Sequence, residues 1–333
     1  MKIIVDAMGG DLGPLEMVKG SIDAVNEFGI DIIFVGNEEI IKNELKKYTY
    51  AEEKVEILNA DDIITNDEDP SLAIRRKKNS SMVVATKALS SGLGDGYISA
   101  GSTGALLASG IFIVKRIEGI HRSPLSVLYP TLKGFSLLLD AGANVDCKPE
   151  YLYQFALMGS IYMEKVMGKS NPTIGLLNIG TEKGKGNILS KDSYTILEQS
   201  NLNFVGNVEG RDLPTGIADV IVTDGFAGNI ALKLTEGMAI SIFSLLKEEL
   251  MKNTRTKLGA ALLKPELKNL KNRMDYREYG GAPLLGLKKP VVKAHGSSDA
   301  YAIKNGINQL IKFVENDVIK IIEENIHIEN NNG

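Results

Sequence analysis

The chain is poor in the residues that carry most metal, redox and nucleophile chemistry. It has one cysteine, Cys147, and three histidines among 333 residues. A single cysteine excludes an internal disulfide framework and fits a reducing compartment. CxxC and HExxH clusters are absent, so no metal site or cofactor is expected. The GxGxxG dinucleotide fingerprint, the GxxxxGK[ST] phosphate loop and the GxSxG nucleophile elbow are missing as well. Cys147 has no histidine beside it in sequence and reads as structural. The net charge of -4 lacks the basic excess of a nucleic-acid binder. Gly96 to Val114 carries no charge, yet it opens as a short strand and glycine turn before an apolar helix, so no membrane span is expected there. Met1-Lys2 leads straight into the first apolar run, which predicts no signal peptide and a cytoplasmic protein. What remains is chemistry carried by a bound anion and by backbone donors.

The composition, 44% hydrophobic and 24% charged, is that of a globular protein. Short β-branched runs alternate with helical patterns: Ile3 to Asp6, Asp31 to Val35, Val55 to Leu58, Tyr97 to Ser99, Phe135 to Asp140, Thr173 to Asn178, Phe204 to Val208, Val220 to Thr223 and Val291 to Ala294. Such alternation predicts βαβ units around a mostly parallel sheet. Leu125 to Tyr129 and Phe135 to Leu139 predict a hairpin around Leu132-Lys133-Gly134. Residues 1–333 read as a single α/β catalytic domain, interrupted at 228–289 by a helical excursion too long for a simple crossover.

The strand ends are polar. "VDAMGGDLGP" at 5–14 places Asp6 at a strand end and runs at once into Gly9, Gly10 and Asp11, more glycine than a plain turn needs. The other ends carry Gly101-Ser102-Thr103-Gly104, Asp140 with Asn144, Asn178, Asn207, Asp224 with Gly225, and His295 with Gly296-Ser297. Ligands of doubly wound sheets bind beyond such ends. Ser102 and Thr103 open a helix, which suits either phosphate or an ordinary cap. Lys183-Gly184-Lys185-Gly186 is either a cationic site loop or a solvated one. His295 is either a site residue or a satisfied buried histidine.

The segments "VDAMGGD", "AIRRKKNSSM", "SAGSTGALLASG", "DAGAN", "LLNIGTEKGKGN", "GNVEGRDL", "VTDGFAGN", "GGAPLLGL" and "HGSS", in this order, resemble the bacterial phosphate acyltransferases of the PlsX type over nearly the whole chain. The resemblance implies a three-layer α/β/α fold, similar to phosphotransacetylases and isopropylmalate dehydrogenases. It implies conversion of fatty acyl-[acyl carrier protein] and inorganic phosphate into acyl phosphate, which a glycerol-3-phosphate acyltransferase then uses in phospholipid synthesis. It also implies a homodimer associated peripherally with the inner face of the cell membrane. Ser102 stands where many relatives have asparagine, and Lys185, not Lys183, matches the family's loop lysine.

On that basis Lys185, with Asn178 and His295, is expected to carry catalysis, His295 by protonating the departing thiolate if it acts directly. Asp6, Gly9, Gly10, Asp11, Ser102, Thr103, Gly104, Asn144 and Asp224 are expected to bind phosphate. Arg75-Arg76-Lys77-Lys78 is expected to dock an acidic carrier protein, or else to be a solvated helix face. Leu258, Ala261 and Leu262 share one face of a short helix flanked by Lys257, Lys264, Lys268 and Lys271, which suits membrane contact or subunit packing. The competing functions are acyl transfer from coenzyme A to phosphate and a non-catalytic, anion-responsive membrane scaffold.

Overall fold

The computed structural model describes residues 1–267 and 280–332, with side chains through 326. The strands are β1 (Lys2–Asp6), β2 (Asp31–Gly36), β3 (Val55–Asn59), β4 (Gly96–Ser99), β5 (Ser126–Thr131), β6 (Gly134–Leu139), β7 (Ile174–Asn178), β8 (Phe204–Glu209), β9 (Val220–Val222), β10 (Ala282–Pro283) and β11 (Val291–Lys293). The α-helices are α1 (Gly13–Phe28), α2 (Glu38–Leu45), α3 (Pro70–Arg76), α4 (Ser81–Ser90), α5 (Thr103–Ser109), α6 (Pro149–Lys165), α7 (Ile188–Gln199), α8 (Gly225–Leu250), α9 (Thr254–Leu262), α10 (Ala300–Glu315) and α11 (Val318–Asn332).

The mostly parallel α/β architecture is present, but its strands are divided between two sheets. One has the order β10-β11-β4-β1-β2-β3 and the other β5-β6-β9-β7-β8. Among the strands of the described residues only the β10–β11 and β5–β6 pairs are antiparallel, the second being the expected hairpin. The sheets meet edge to edge, where Leu125 bridges Leu284 and the Ser126 hydroxyl donates to the Pro283 carbonyl. Strand β10 is two residues long, too short to be seen as a periodic run.

Alternation along each strand builds three layers. In the first sheet Ile3, Val5, Ile32 and Phe34 face α1 and α10, while Ile4, Ile33 and Tyr97 face α4 and α5. Across the second sheet Leu137, Leu139, Leu176 and Val220 pack on α6, and the opposite face buries Leu138 and Ile221 beside Ala231 and Leu232 of α8. Val318, Ile322 and Ile326 of the last helix join the second sheet's core, although α10 before it packs on the first sheet. The chain therefore returns to both halves, which fixes the strand ends of one against the other.

The excursion begins with α8, whose Asp224 cap accepts from the Ala227 amide at 2.8 Å. Beyond its first turns α8 leaves the protein: Leu234, Met238, Ile240 and Leu245 are exposed. Gly225 and Gly228 let its first turn approach closely, since a Cβ at Gly228 would stand 1.9 Å from the Asp140 carbonyl oxygen. Alanine there would gain about 1 kcal/mol of helix preference but meets backbone that cannot rotate away, an overlap costing about 1–3 kcal/mol or more. Gly228→Ala is expected to lower the urea midpoint at unchanged slope, whereas Gly237→Ala, where no atom lies within 4 Å of the added Cβ, should leave it level or raise it.

Candidate active site

The turns after β1 and β4 and the 63–66 segment enclose a cleft of about 190 Å³, lined by Asp6, Met8 to Asp11, Ile63 to Asn66, Ser81, Met82 and Ala100 to Ser102. Glycines make this closeness possible. A Cβ on Gly9 would lie 2.7 Å from the Gly101 amide, and Gly10, at φ 91°, would bring one to 2.9 Å from both the Ala100 side chain and the Gly296 carbonyl. Two amides of the turn are turned inward, Gly9 to the Asp6 carbonyl at 3.5 Å and Asp11 to the Gly296 carbonyl at 2.7 Å. The glycines therefore serve close packing of three turns as well as any approach by a ligand.

Asp6 is 1% exposed at the floor of this cleft. Its carboxylate accepts from the Ser99 hydroxyl at 2.7 Å and the Met8 amide at 3.2 Å. Burial pushes its pKa above the usual carboxylate value, with the Ser81 and Ser99 hydroxyls pulling it back. Ser102 precedes α5 without capping it through its side chain, so its buried hydroxyl is not consumed by the helix end. Thr103 is exposed. Gly104 has a packing reason of its own, because a Cβ would reach Pro70 of α3 at 2.7 Å. His295 lies in the turn after β11, its Nδ1 2.9 Å from the Ser297 hydroxyl. Its ring reaches solvent, yet partial desolvation and nearby Lys293 lower its pKa, against Glu236 and Asp11. A lowered pKa favours the neutral ring at pH 7, a hydrogen-bonding group rather than a cation.

A second group forms at the ends of β6 and β9. Asp140, with 0% exposure, accepts from the amides of Leu125, Gly142, Ala143 and Asn144 at 2.8, 3.1, 3.0 and 2.6 Å. Asn144 donates to Asp140 at 2.8 Å and to the Ser123 carbonyl at 3.0 Å, and its own carbonyl accepts from Gly225 at 2.7 Å. Asn144 and Asp224 thus hold the start of α8. Cys147 lies alongside, its thiol pushed up to about 12 by burial and by Asp140 and Asp224, which fits the structural reading from sequence.

Lys185 and Asn178 form a third group at the ends of β7 and β8. Asn178 donates to the Lys185 carbonyl at 3.2 Å and accepts from the Ile179 amide at 2.8 Å, which fixes the loop. Gly186, at φ 90°, lies so close that a Cβ would stand 2.4 Å from the Asn178 side-chain oxygen. The two loop lysines differ. Lys183 is held by Glu198 and lies 5.4 Å above the Tyr194 ring, whereas Lys185 is exposed and reaches Glu182 only at 3.9 Å.

The basic run is also divided. Lys77 pairs with Glu68 at 2.9 Å and Asp62 at 3.5 Å and donates to the Ile63 carbonyl at 2.7 Å, which ties down the segment lining the cleft. Arg75, Arg76 and Lys78 are exposed, Arg75 lying 6.0 Å from the Phe112 ring. Leu258, Ala261 and Leu262 face solvent on α9, while Lys268 and Lys271 lie outside the described residues. Sequence reasoning missed Ser81 and Lys293. Ser81 sits inside a helix start, far in sequence from any strand end. Lys293 was visible as a lone cation between Val292 and Ala294 in an otherwise apolar strand.

The profile of the family described as Fatty acid synthesis protein matches residues 1–321. The chain is 54% identical over 326 residues to the phosphate acyltransferase of Alkaliphilus oremlandii, covering 98% of this chain and 97% of that one. It is 52% identical over 335 residues to the phosphate acyltransferase of Clostridium botulinum strain Loch Maree, covering 98% and 100%. In fold it resembles a phosphotransacetylase from Streptococcus pyogenes at a TM-score of 0.62 and 18% identity, covering 96% of this chain and 94% of the other. The whole-length identity, together with motifs that the fold places at the strand ends, means that this chain belongs to the phosphate acyltransferase family and is an acyltransferase.

Proposed function

We propose that the protein transfers a fatty acyl group from acyl carrier protein to inorganic phosphate, releasing acyl phosphate for use by a glycerol-3-phosphate acyltransferase in phosphatidic acid synthesis. A phosphate oxygen attacks the thioester carbonyl carbon. The new C–O bond forms as the carbonyl electrons move onto oxygen, then the C–S bond breaks and the thiolate leaves and takes up a proton. Phosphate is already anionic near neutral pH, so the protein has mainly to position and stabilise. Holding the reactants together is worth about 7–11 kcal/mol, and donors at the oxyanion add about 3–4 kcal/mol. Lys185 is the oxyanion or phosphate cation in this scheme, Asn178 sets its loop, and His295 receives or returns the proton.

The observation that favours carrier protein over coenzyme A is the exposed cationic C-terminal end of α3, with Arg75 and Arg76 in its last turn and Lys78 just beyond. An acidic carrier protein would meet Arg75, Arg76 and Lys78 there. The deciding assay is acyl phosphate formation from purified protein, phosphate and either acyl carrier or coenzyme A thioesters. Faster turnover of the free coenzyme A thioester would reverse the choice, and no turnover of either would favour a non-catalytic scaffold.

The dimer and membrane belong to the same proposal. Among the described residues α8 is long and apolar enough to cross a membrane, with mean hydropathy 1.3 over its most apolar window. Its base is docked on the second sheet, however, so the exposed stripe through Ile230, Leu234 and Met238 suits a second copy of the chain better than a span. On α9, Leu258 is 67% and Leu262 75% exposed beside Lys257 and Lys264. That combination suits shallow insertion at an anionic cytoplasmic surface.

Lys185→Ala is expected to lower acyl phosphate turnover by about a hundredfold to a thousandfold, with Lys183→Ala far less affected and both folded by circular dichroism. Equal activities would remove Lys185 from the mechanism. Reversing Arg76 and Lys78 to glutamate should raise KM for the carrier thioester at low salt, and added salt should erase much of the difference. An unchanged KM would leave these residues a solvated face. Leu258→Glu with Leu262→Glu should abolish sedimentation with anionic vesicles while the dimer and soluble activity persist; a monomeric or unfolded double variant would assign those leucines to packing instead.

A further inference from the structure

A cleft walled by two carboxylates, Asp6 at its floor and Asp11 at its lip, is a poor receptor for phosphate unless a positive charge offsets them. Lys293 ends β11 in register with Ser99 of β4. Its ammonium donates to the Ala100 carbonyl at 3.3 Å and to the Ala294 carbonyl. Ala100 forms part of the cleft wall, Gly10 is pressed against it, and the Asp11 amide reaches across to Gly296 in the turn beyond Lys293. One side chain thus ties the turns after β4 and β11 together where the turn after β1 rests on both. An ammonium has three donors and no acceptor, so two carbonyls leave it a third.

The charged groups around it come from three elements. Asp6 and Asp11 act on Lys293 from β1 and its turn, and His295 follows it on its own turn. Lys233 and Glu236 of α8 act on His295, which carries the second half of the fold to this point. The carboxylates influence the ammonium through space, and among the described residues neither forms an ion pair with it.

We infer that Lys293 is a positioning residue for phosphate: it holds the Ala100 and Ala294 turns in place and supplies the positive charge that lets a cleft walled by Asp6 and Asp11 accept an anion. The inference deepens the acyl-transfer reading and rests on phosphate as its substrate, bound in the cleft that Asp6 floors. Burial lowers the Lys293 pKa to about 8, against the pull of Asp11 and then Asp6. The ammonium is therefore present at pH 7 and lost as pH rises through about 8, and phosphate affinity falls with it. Intrinsic stability has the opposite sign. Between about pH 8 and the unfolded value of 10.5, the unfolded chain binds the extra proton, so this group's contribution to stability rises with pH. A purely structural lysine would show the second trend without the first.

The test compares the wild type with Lys293→Met and Lys293→Arg, using inorganic phosphate as the probe in both thermal-shift titration and steady-state kinetics. Lys293→Met is expected to weaken phosphate binding about tenfold or more at pH 7, the scale of a lost charge-assisted contact, with KM for the acyl thioester within about twofold. Lys293→Arg should recover phosphate binding to within about threefold at pH 7 and abolish the weakening above pH 8, because its guanidinium stays charged. Unchanged phosphate affinity and pH dependence in Lys293→Met would overturn the inference. So would a parallel loss of kcat and both KM values that arginine does not rescue. Should Lys293→Met fail to fold, the pH profile of Lys293→Arg decides. Binding is read without turnover: a wild type that binds phosphate but transfers no acyl group overturns the acyl-transfer reading, while the variants' phosphate affinities still decide the role of Lys293.

Discussion

The buried carboxylate of Asp140 is the constraint on which the second half of the molecule depends. It gathers the amides of Leu125, Gly142, Ala143 and Asn144 and the Asn144 side chain around one strand end. Burial raises its pKa, while those donors pull it down. Satisfying so many donors at once is what makes a sharp turn inside the protein tolerable, since each would otherwise be left unpaired away from water. The turn then receives α8, through the Asn144 carbonyl on Gly225 and the bare Cα of Gly228 against Asp140 itself. Were the turn displaced, the apolar excursion would lose its foundation and His295 would lose its neighbours on α8.

The first half solves a related problem differently. Three turns, after β1, β4 and β11, converge with glycine at each closest approach. Asp6 is held by hydroxyls and an amide, and Lys293 by carbonyls, so that opposite charges sit near one another without a direct pair. That arrangement keeps both charges available to act on a third group in the cleft, which a closed ion pair would not do. The same economy separates the neighbouring lysines of the β7–α7 loop: Lys183 is spent on Glu198, and Lys185 is left reaching outward.

Much of the fold was legible because its signals are local. Alternating apolar runs gave the strands, the glycine turns marked their ends, and the polar residues at those ends named Asp6, Asn144, Asn178 and His295 as candidates, while Lys185 was singled out by the family resemblance. The division into two sheets was not legible, since it depends on β10, two residues long, and on one bridge between Leu125 and Leu284. Nor could sequence separate Lys77 from Arg76 and Lys78, because the partners that neutralise it, Glu68 and Asp62, come from the loop that precedes its helix.

The sequence by itself determined the class of architecture, which follows from residue type and spacing along the chain, and its ordered motifs carried the family resemblance. Only the tertiary structure decided what each residue touches. It set the Asn144 carbonyl against the start of α8, gave Gly104 to a contact with Pro70, and brought Lys293 beneath the wall of the cleft that Asp6 floors. Those roles rest on contacts between segments tens to hundreds of residues apart, and a charge acquires its meaning from the groups it faces rather than from its neighbours in the chain.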